Sequence, residues 1–512
     1  MPTANDKRIA KNAIVLYIRM IVILAINLYI SRLVLKNLGI SDYGVYNVVG
    51  GVVSLFSAIG GALSGASSRF ITFALGKNDE NHLERVFSSS VTAQMIMASL
   101  AVILLETVGV WFLYTKMQIA PERVKTAFWC LQFSIFTCFV NFICIPYNAL
   151  IIAHERMKAF AWISIVDCIC KLIIVVVLGF VFVDRLFLYG LLLAILAVVI
   201  RFVYSFYCLR NFKESRFKLI WDKTILKEMF FFSLWNFIGY SAALFRDHGG
   251  NILLNLFFGP VVNAAKGIAV QVNSATNQFV SNFMAAVGPQ ITKNYACGNF
   301  AEMHKLIFGG AKISFFLFFF ITLPILVNTK FIMQIWLHEV PDHTVWFVRL
   351  VLLCTLHDSF SVSLMTAQNA TGNIRNYQLI VGCAIMMNLP LSYLCLKNGL
   401  PAESIFVISI IISILCFFLR LSFLKKSVYL DVKFFFKNVW IKSIIASLFA
   451  LIPLIILCKD IESNWISFFE SSFLCVIASG LSIYLIGCDR DERSLLKSIV
   501  KKMIKKIRGE VC

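Results

Sequence analysis

Apolar residues along this chain gather in runs of about twenty, separated by short segments that carry most of the charge. A helix of that length spans the roughly 30 Å hydrocarbon core of a bilayer. Fourteen such runs can be drawn: Ala13–Leu35, Val45–Thr72, Phe87–Tyr114, Thr126–Ile152, Ala159–Val183, Leu186–Cys208, Met229–Phe257, Val261–Ile291, Leu306–Val327, Val345–Ala367, Tyr377–Leu396, Ile405–Phe423, Val439–Cys458 and Trp465–Ile486. None shows the ten-residue alternation of a transmembrane strand, so a β-barrel is excluded. The pattern predicts an all-α polytopic membrane protein. Lys7, Arg8 and Lys11 precede the first run as in a signal peptide. That run is too long for a signal core, and it is expected to stay as the first helix.

Fourteen helices place both termini on one side. Segments on that side carry roughly 28 Lys and Arg against 8 on the other, counting the tail from Arg490 to Arg508. The bias puts both termini in the cytoplasm. The longest connection, after helix six, divides the chain into a first lobe (1–210), an amphipathic cytoplasmic linker (211–228) and a second lobe (229–424). Helices thirteen and fourteen (425–488) and a basic tail (489–512) follow. The two lobes repeat at an offset near 220: Leu38-Gly39 matches Phe258-Gly259, Ile71-Thr72 matches Ile291-Thr292, and Ser54 matches Ser274, while Arg156 echoes Arg375. Six helices between copies make this a parallel repeat about an axis along the membrane normal, an arrangement found in alternating-access transporters. In the tail, Leu495, Leu496, Ile499, Val500, Met503, Ile504 and Ile507 recur at helical spacing among lysines, as in a helix lying on the inner leaflet.

Composition then removes other classes. With 59% hydrophobic and 14% charged residues and a mean hydropathy of +0.82, too little polar surface exists to cover a soluble globule. A net charge of +20 suits basic loops against anionic headgroups, and no nucleic-acid module interrupts the apolar runs. Cysteines such as Cys168, Cys170, Cys383 and Cys416 lie singly in apolar stretches and read as small packing residues, with no metal-ligand spacing. No phosphate-binding loop with its lysine is present, and the cytoplasmic loops are too short for a catalytic domain. The chain therefore reads as a transporter rather than an enzyme, with no cofactor.

Charges inside the membrane are costly and need a reason. Arg19 and Arg69 either line a cavity or snorkel to the interface. Asp167 and Lys171, four apart, form a same-face pair, structural or switching. Arg246-Asp247-His248-Gly249-Gly250 lies deep in helix seven, beyond snorkelling reach, with glycines expected to loosen the helix. This is the strongest signal for a water-filled cavity, against the alternative of a buried packing pair. Lys266, Asn273, Asn277 and Ser281 share one face of helix eight and read as cavity lining. Asn47, Ser54, Ser57, Gly61 and Ser64 on helix two read as helix packing. Asp247, Asp358 and His357 are candidates for ion coupling, and Gln368 joins the last two as either a coupling group or an interhelical tie.

Two stretches carry a family resemblance: Leu38-Gly39-Ile40-Ser41-Asp42-Tyr43-Gly44-Val45-Tyr46, and Pro146-Tyr147-Asn148-Ala149-Leu150-Ile151-Ile152-Ala153-His154-Glu155-Arg156-Met157. Together with fourteen helices in two lobes, they make the chain similar to Wzx-type polysaccharide flippases of the MATE/MOP superfamily. The resemblance implies a cavity between lobes that carries an undecaprenyl-pyrophosphate-linked oligosaccharide between leaflets of the bacterial inner membrane. Its partners would be membrane lipids and polysaccharide polymerase machinery. On that reading Arg19, Arg246 and Lys266 would meet the pyrophosphate, and Asn273 and Asn277 the sugar, with H+ or Na+ coupling as an option. A drug exporter of the same superfamily, a peptidoglycan-precursor flippase and a scaffold subunit remain as alternatives.

Overall fold

The computed structural model describes residues 4–54, 57–115, 121–181, 184–218, 220–337, 339–457, 464–489 and 492–493. The described residues of each of the fourteen runs lie mainly in helix, and no described residue lies in a strand. α1 (Ala4–Ser54) makes the first pass and begins the second, turning at Gly39. α2 (Ser57–Gly76) completes that second pass. Then come α3 (Glu80–Thr115), α4 (Pro121–Ala153), α5 (Met157–Leu178) and α6 (Arg185–Asn211). α7 (Lys223–Phe258), α8 (Pro260–Ala296) and α9 (Phe300–Val327) follow. α10 is broken, its limbs Thr344–Asp358 and Ser361–Thr371 meeting at 44°. The chain continues with α11 (Arg375–Lys397), α12 (Ser404–Ser427), α13 (Val432–Leu454) and α14 (Trp465–Gly487).

Among the described residues, ten helices are long and apolar enough to cross a membrane, and eleven with α10 taken as one. The other three are α2, α7 and α8, which are as long but diluted by polar and small residues. Those are the helices the sequence singles out for polar stripes.

The repeat holds in the element boundaries. α3 and α9 begin at Glu80 and Phe300, 220 apart, and α6 and α12 at Arg185 and Ser404, 219 apart. The matched glycines also share a backbone: Gly39 and Gly259 have φ of +78° and +82°. Residues with side chains rarely adopt that conformation, which explains why glycine ends the helix at both places.

The chain forms two compact units, one comprising residues 12–241 with 292–299, the other residues 1–11 and 242–291 with those from 300 on. The boundary falls inside α7, so the linker packs with the first unit. There Lys218 Nζ pairs with Glu84 at 2.6 Å, His154 Nε2 meets Glu214 at 2.6 Å, and Arg85 pairs with Asp222. Burial raises the Glu214 carboxyl, but the His154 hydrogen bond and a backbone hydrogen bond outweigh it, holding the group below the usual range.

Both signature stretches do structural work in this unit. Asp42 pairs with Arg123 at 3.0 Å, and Arg185 donates to the Asn37 carbonyl at 2.9 Å, fastening the Gly39 turn. At the other end Glu155, at φ +58° with its carboxylate almost wholly buried, holds Lys293 at 2.8 Å. Gly76 lets the chain pass close: a Cβ there would lie 2.9 Å from Ala296 Cβ and 3.1 Å from Lys293 Cα. The amphipathic tail expected from Leu495 onward lies outside the described residues. The stretch leading into it is tied down by Lys312, which reaches Asp489 at 3.1 Å and Glu492 at 2.6 Å.

Candidate functional site

The charged cluster on α7 lies within continuous helix, which corrects the expectation that Gly249 and Gly250 loosen it. Backbone hydrogen bonding carries through, and the glycines supply clearance instead. A Cβ on Gly250 would lie 2.5 Å from Lys266 Nζ, and one on Gly249 would collide with Leu389 of α11. The cost of about 1 kcal/mol per helical glycine is offset by these close approaches.

The clearance brings α8's lysine onto α7. Lys266 is 6% exposed, and its Nζ donates to the Asp247 main-chain carbonyl at 2.8 Å. Among the described residues no carboxylate lies within ion-pair distance of it. Arg246 Nε pairs with its neighbour Asp247 Oδ1 at 2.9 Å, both side chains remaining partly exposed. The Asp247 carboxylate thus goes to Arg246, while Lys266 meets only the main-chain carbonyl of the same residue. Asn273 and Asn277 are seven and eleven positions further along α8, about 10 and 16 Å away along its axis. Both are half-buried, and Asn273 Oδ1 has no hydrogen-bond partner among the described residues.

Beside this cluster α10 bends. His357 and Asp358 end its first limb, and Ser413 of α12 stands between them. Ser413 Oγ donates to Asp358 Oδ1 at 2.5 Å and meets His357 Nδ1 at 2.8 Å, so His357 donates from Nδ1. Asp358 also acts electrostatically on Arg246. Gln368 stands apart, bonding the Asn373 carbonyl at 3.0 Å and Ser427 at 3.2 Å. It is an interhelical tie.

The remaining candidates sit in the first unit. Lys171 Nζ reaches Asp167 at 2.7 Å, as their spacing implies. Arg19 stacks its guanidinium 4.6 Å from the Phe160 ring centroid, and its Nε has no hydrogen-bond partner among the described residues. Arg69 lies over Phe70, Phe73 and Phe232, bridging α2 and α7. The packing expected of the helix-two stripe is not met at Gly61, where no described atom lies within 4 Å of a Cβ.

Sequence reasoning missed three groups. Ser413 carries no signal of its own, since hydroxyls are common in spanning helices. Arg201 stands 3.9 Å from the Tyr147 ring, and Arg420, 7% exposed, lies beside Tyr377. Arg201 and Arg420 are 219 apart, so carrying the repeat offset into α6 and α12 finds both.

Comparison with known proteins agrees with this architecture. The family model described as "Polysaccharide biosynthesis protein" matches residues 9–295, more than half of the chain. No curated protein matches the sequence. Among solved structures, an outward-facing multidrug-resistance MATE transporter of the MOP superfamily aligns at TM-score 0.71 and 15% identity, covering 83% of this chain and 96% of that one. A MOP superfamily transporter from Pyrococcus furiosus, described as having a binding pocket of reverse polarity, aligns at 0.71 and 12% identity, covering 84% and 99%. A MATE protein in a bent conformation aligns at 0.68 and 16% identity, covering 83% and 98%. The chain therefore belongs to the polysaccharide biosynthesis protein family, built on the fold of MATE and MOP superfamily transporters.

Proposed function

We propose that the protein is a flippase for undecaprenyl-pyrophosphate-linked oligosaccharide. Its cargo would be an O-antigen or a capsular or exopolysaccharide repeat unit, moved from inner to outer leaflet of the bacterial cytoplasmic membrane by alternating access. Both termini then face the cytoplasm, as the loop charges favour. The observation that carries this reading is the Arg246–Lys266 cluster: Arg246 takes the Asp247 carboxylate, and the Lys266 ammonium is buried with no carboxylate within ion-pair distance among the described residues. Buried charge of that kind suits a group that brings its own negative charge. A pyrophosphate meets the demand, with the arginine fork giving two directed hydrogen bonds and the lysine a point charge. Asn273 and Asn277 offer amides for the glycan along the same helix.

An inside-negative potential helps move each negative charge outward by about 2.3 kcal/mol per 100 mV. The His357–Ser413–Asp358 chain is a candidate proton carrier in the same unit, because its carboxylate accepts from a hydroxyl that also contacts an imidazole. A cation exporter would want a carboxylate free to take its cargo; here Asp247 is tied to Arg246 and Asp358 to Ser413.

Cells lacking the gene test this. They should lose surface glycan and accumulate a polyprenyl-pyrophosphate oligosaccharide facing the cytoplasm. Unchanged lipid-linked sugars with new sensitivity to cationic drugs would transfer the assignment to an exporter.

A further inference from the structure

A cavity of about 420 Å³ lies within the first unit, between the second limb of α1, α2, α4 and α6. Its size falls among small-molecule sites. Ser134, Thr137 and Asn141 of α4 point into it, three and four residues apart and so on one helix face. Tyr46, Phe133 and Phe142 provide its aromatic walls. Among the described residues that line it there is no Lys, Arg, Asp or Glu.

The polar side chains here are unspent. Ser134 donates to the Cys130 carbonyl at 2.8 Å, leaving its oxygen able to accept. Thr137 and Asn141 make no hydrogen bond to any described residue. An amide left unpaired halfway along a spanning helix is expensive in hydrocarbon, so it must meet water or a polar ligand. The walls, by contrast, are fixed. Tyr46 packs on Tyr189 with centroids 5.0 Å apart, and Phe133 stacks on Trp129 at 5.9 Å and meets Phe187 edge-on at 5.2 Å. Gly190 is matched to this arrangement, since a Cβ there would lie 3.2 Å from Phe133 Cδ2.

Neutral hydroxyl and amide groups between rigid aromatic faces match one ligand chemistry. A sugar ring presents hydroxyls at its edge and C–H bonds on its faces, and it is uncharged. A pyrophosphate would find no counter-ion here. We infer that this cavity is a saccharide subsite in the first unit, taking one ring of the lipid-linked glycan through Ser134, Thr137 and Asn141. The inference rests on the proposed flippase function and adds to it a site for sugar that is separate from the cationic cluster.

The test is native mass spectrometry of the purified full chain with two probes: undecaprenyl pyrophosphate, and the same lipid carrying one N-acetylhexosamine. Wild type should hold the glycosylated lipid about tenfold more tightly. Asn141→Ala with Thr137→Val should bring it down to the bare lipid's affinity while leaving bare-lipid binding unchanged. Gly60→Leu, which fills the space beside Phe142 without removing a polar group, should do the same in protein of normal thermal stability. Equal binding of both lipids by wild type, or a preference that survives these changes, overturns the subsite and leaves the flippase reading standing. Failure of wild type to bind either lipid removes both.

Discussion

Two glycines show how one residue's meaning depends on what stands opposite. At Gly250 the opposing atom is the end of a flexible lysine; at Gly76 it is the backbone and Cβ of another segment. Gly250→Ala should therefore keep stability within about 1 kcal/mol, since helix propensity improves, while the Lys266 ammonium is pushed off the Asp247 carbonyl and cargo transport falls. Gly76→Ala has no flexible partner to yield and should cost about 1–3 kcal/mol by overpacking. Thermal melts of the two variants, read beside glycan export, check the contrast; similar melts with normal export from Gly250→Ala would contradict it. The sequence shows the pair Gly249-Gly250 but not Lys266 and Leu389 facing it, which is why the glycines read as a weak point rather than a seat. Arg246 and Lys266 were legible because a mid-membrane charge is expensive wherever it points. The seating of Lys266 on the Asp247 main-chain carbonyl was not, because it depends on helix-to-helix register.

At the scale of elements, the linker and the α10 bend carry the clearest expectations. Glu214 in the linker is held below its ordinary titration range of about 4.3 by its contact with His154. A depressed carboxyl contributes stability above its unfolded value and loses it as pH falls through the folded one. Amide exchange across the linker should thus rise in acid, after correction for intrinsic rates, and Glu214→Gln should flatten that dependence. An acid response unchanged by the substitution would place the linker's anchoring elsewhere, in the Lys218–Glu84 or Arg85–Asp222 pairs. At the α10 bend, substituting Ser413→Ala in α12 breaks the contact between His357 and Asp358 and should alter the pH profile of transport without preventing insertion. An unmoved profile would leave that chain a structural tie. The existence and order of these helices were readable from runs of apolar residues, although several begin six to nine residues before their runs. The 44° break in α10 was not, because no proline or glycine marks it: Asp358-Ser359-Phe360-Ser361 reads as ordinary helix.

Across the whole molecule, the sequence repeat and the structure agree at matched glycines and at matched arginines. Gly39 and Gly259 turn alike, and Arg201 and Arg420 recur at nearly the same offset with an aromatic ring each. The two units nonetheless differ in what they offer: an anion-seeking cluster on α7 and α8, and a neutral cavity around α4. That division matches the two chemistries of a lipid-linked glycan, a charged head and an uncharged sugar. Apart from Tyr46 on the cavity wall, the resemblance-bearing stretches fasten turns and helix ends. Family was therefore more legible than cargo site, because packing at helix ends constrains sequence locally while a binding surface is gathered from distant segments.

The central claim is tested most directly by reconstitution. Purified protein in liposomes loaded with undecaprenyl-pyrophosphate-linked oligosaccharide would be assayed for the fraction of glycan exposed on each face, with and without an imposed membrane potential. The account predicts protein-dependent flipping, faster when the potential draws negative charge across, and lost in Arg246→Ala and Lys266→Ala at equal incorporation. Flipping that ignores the potential and survives both substitutions would contradict it.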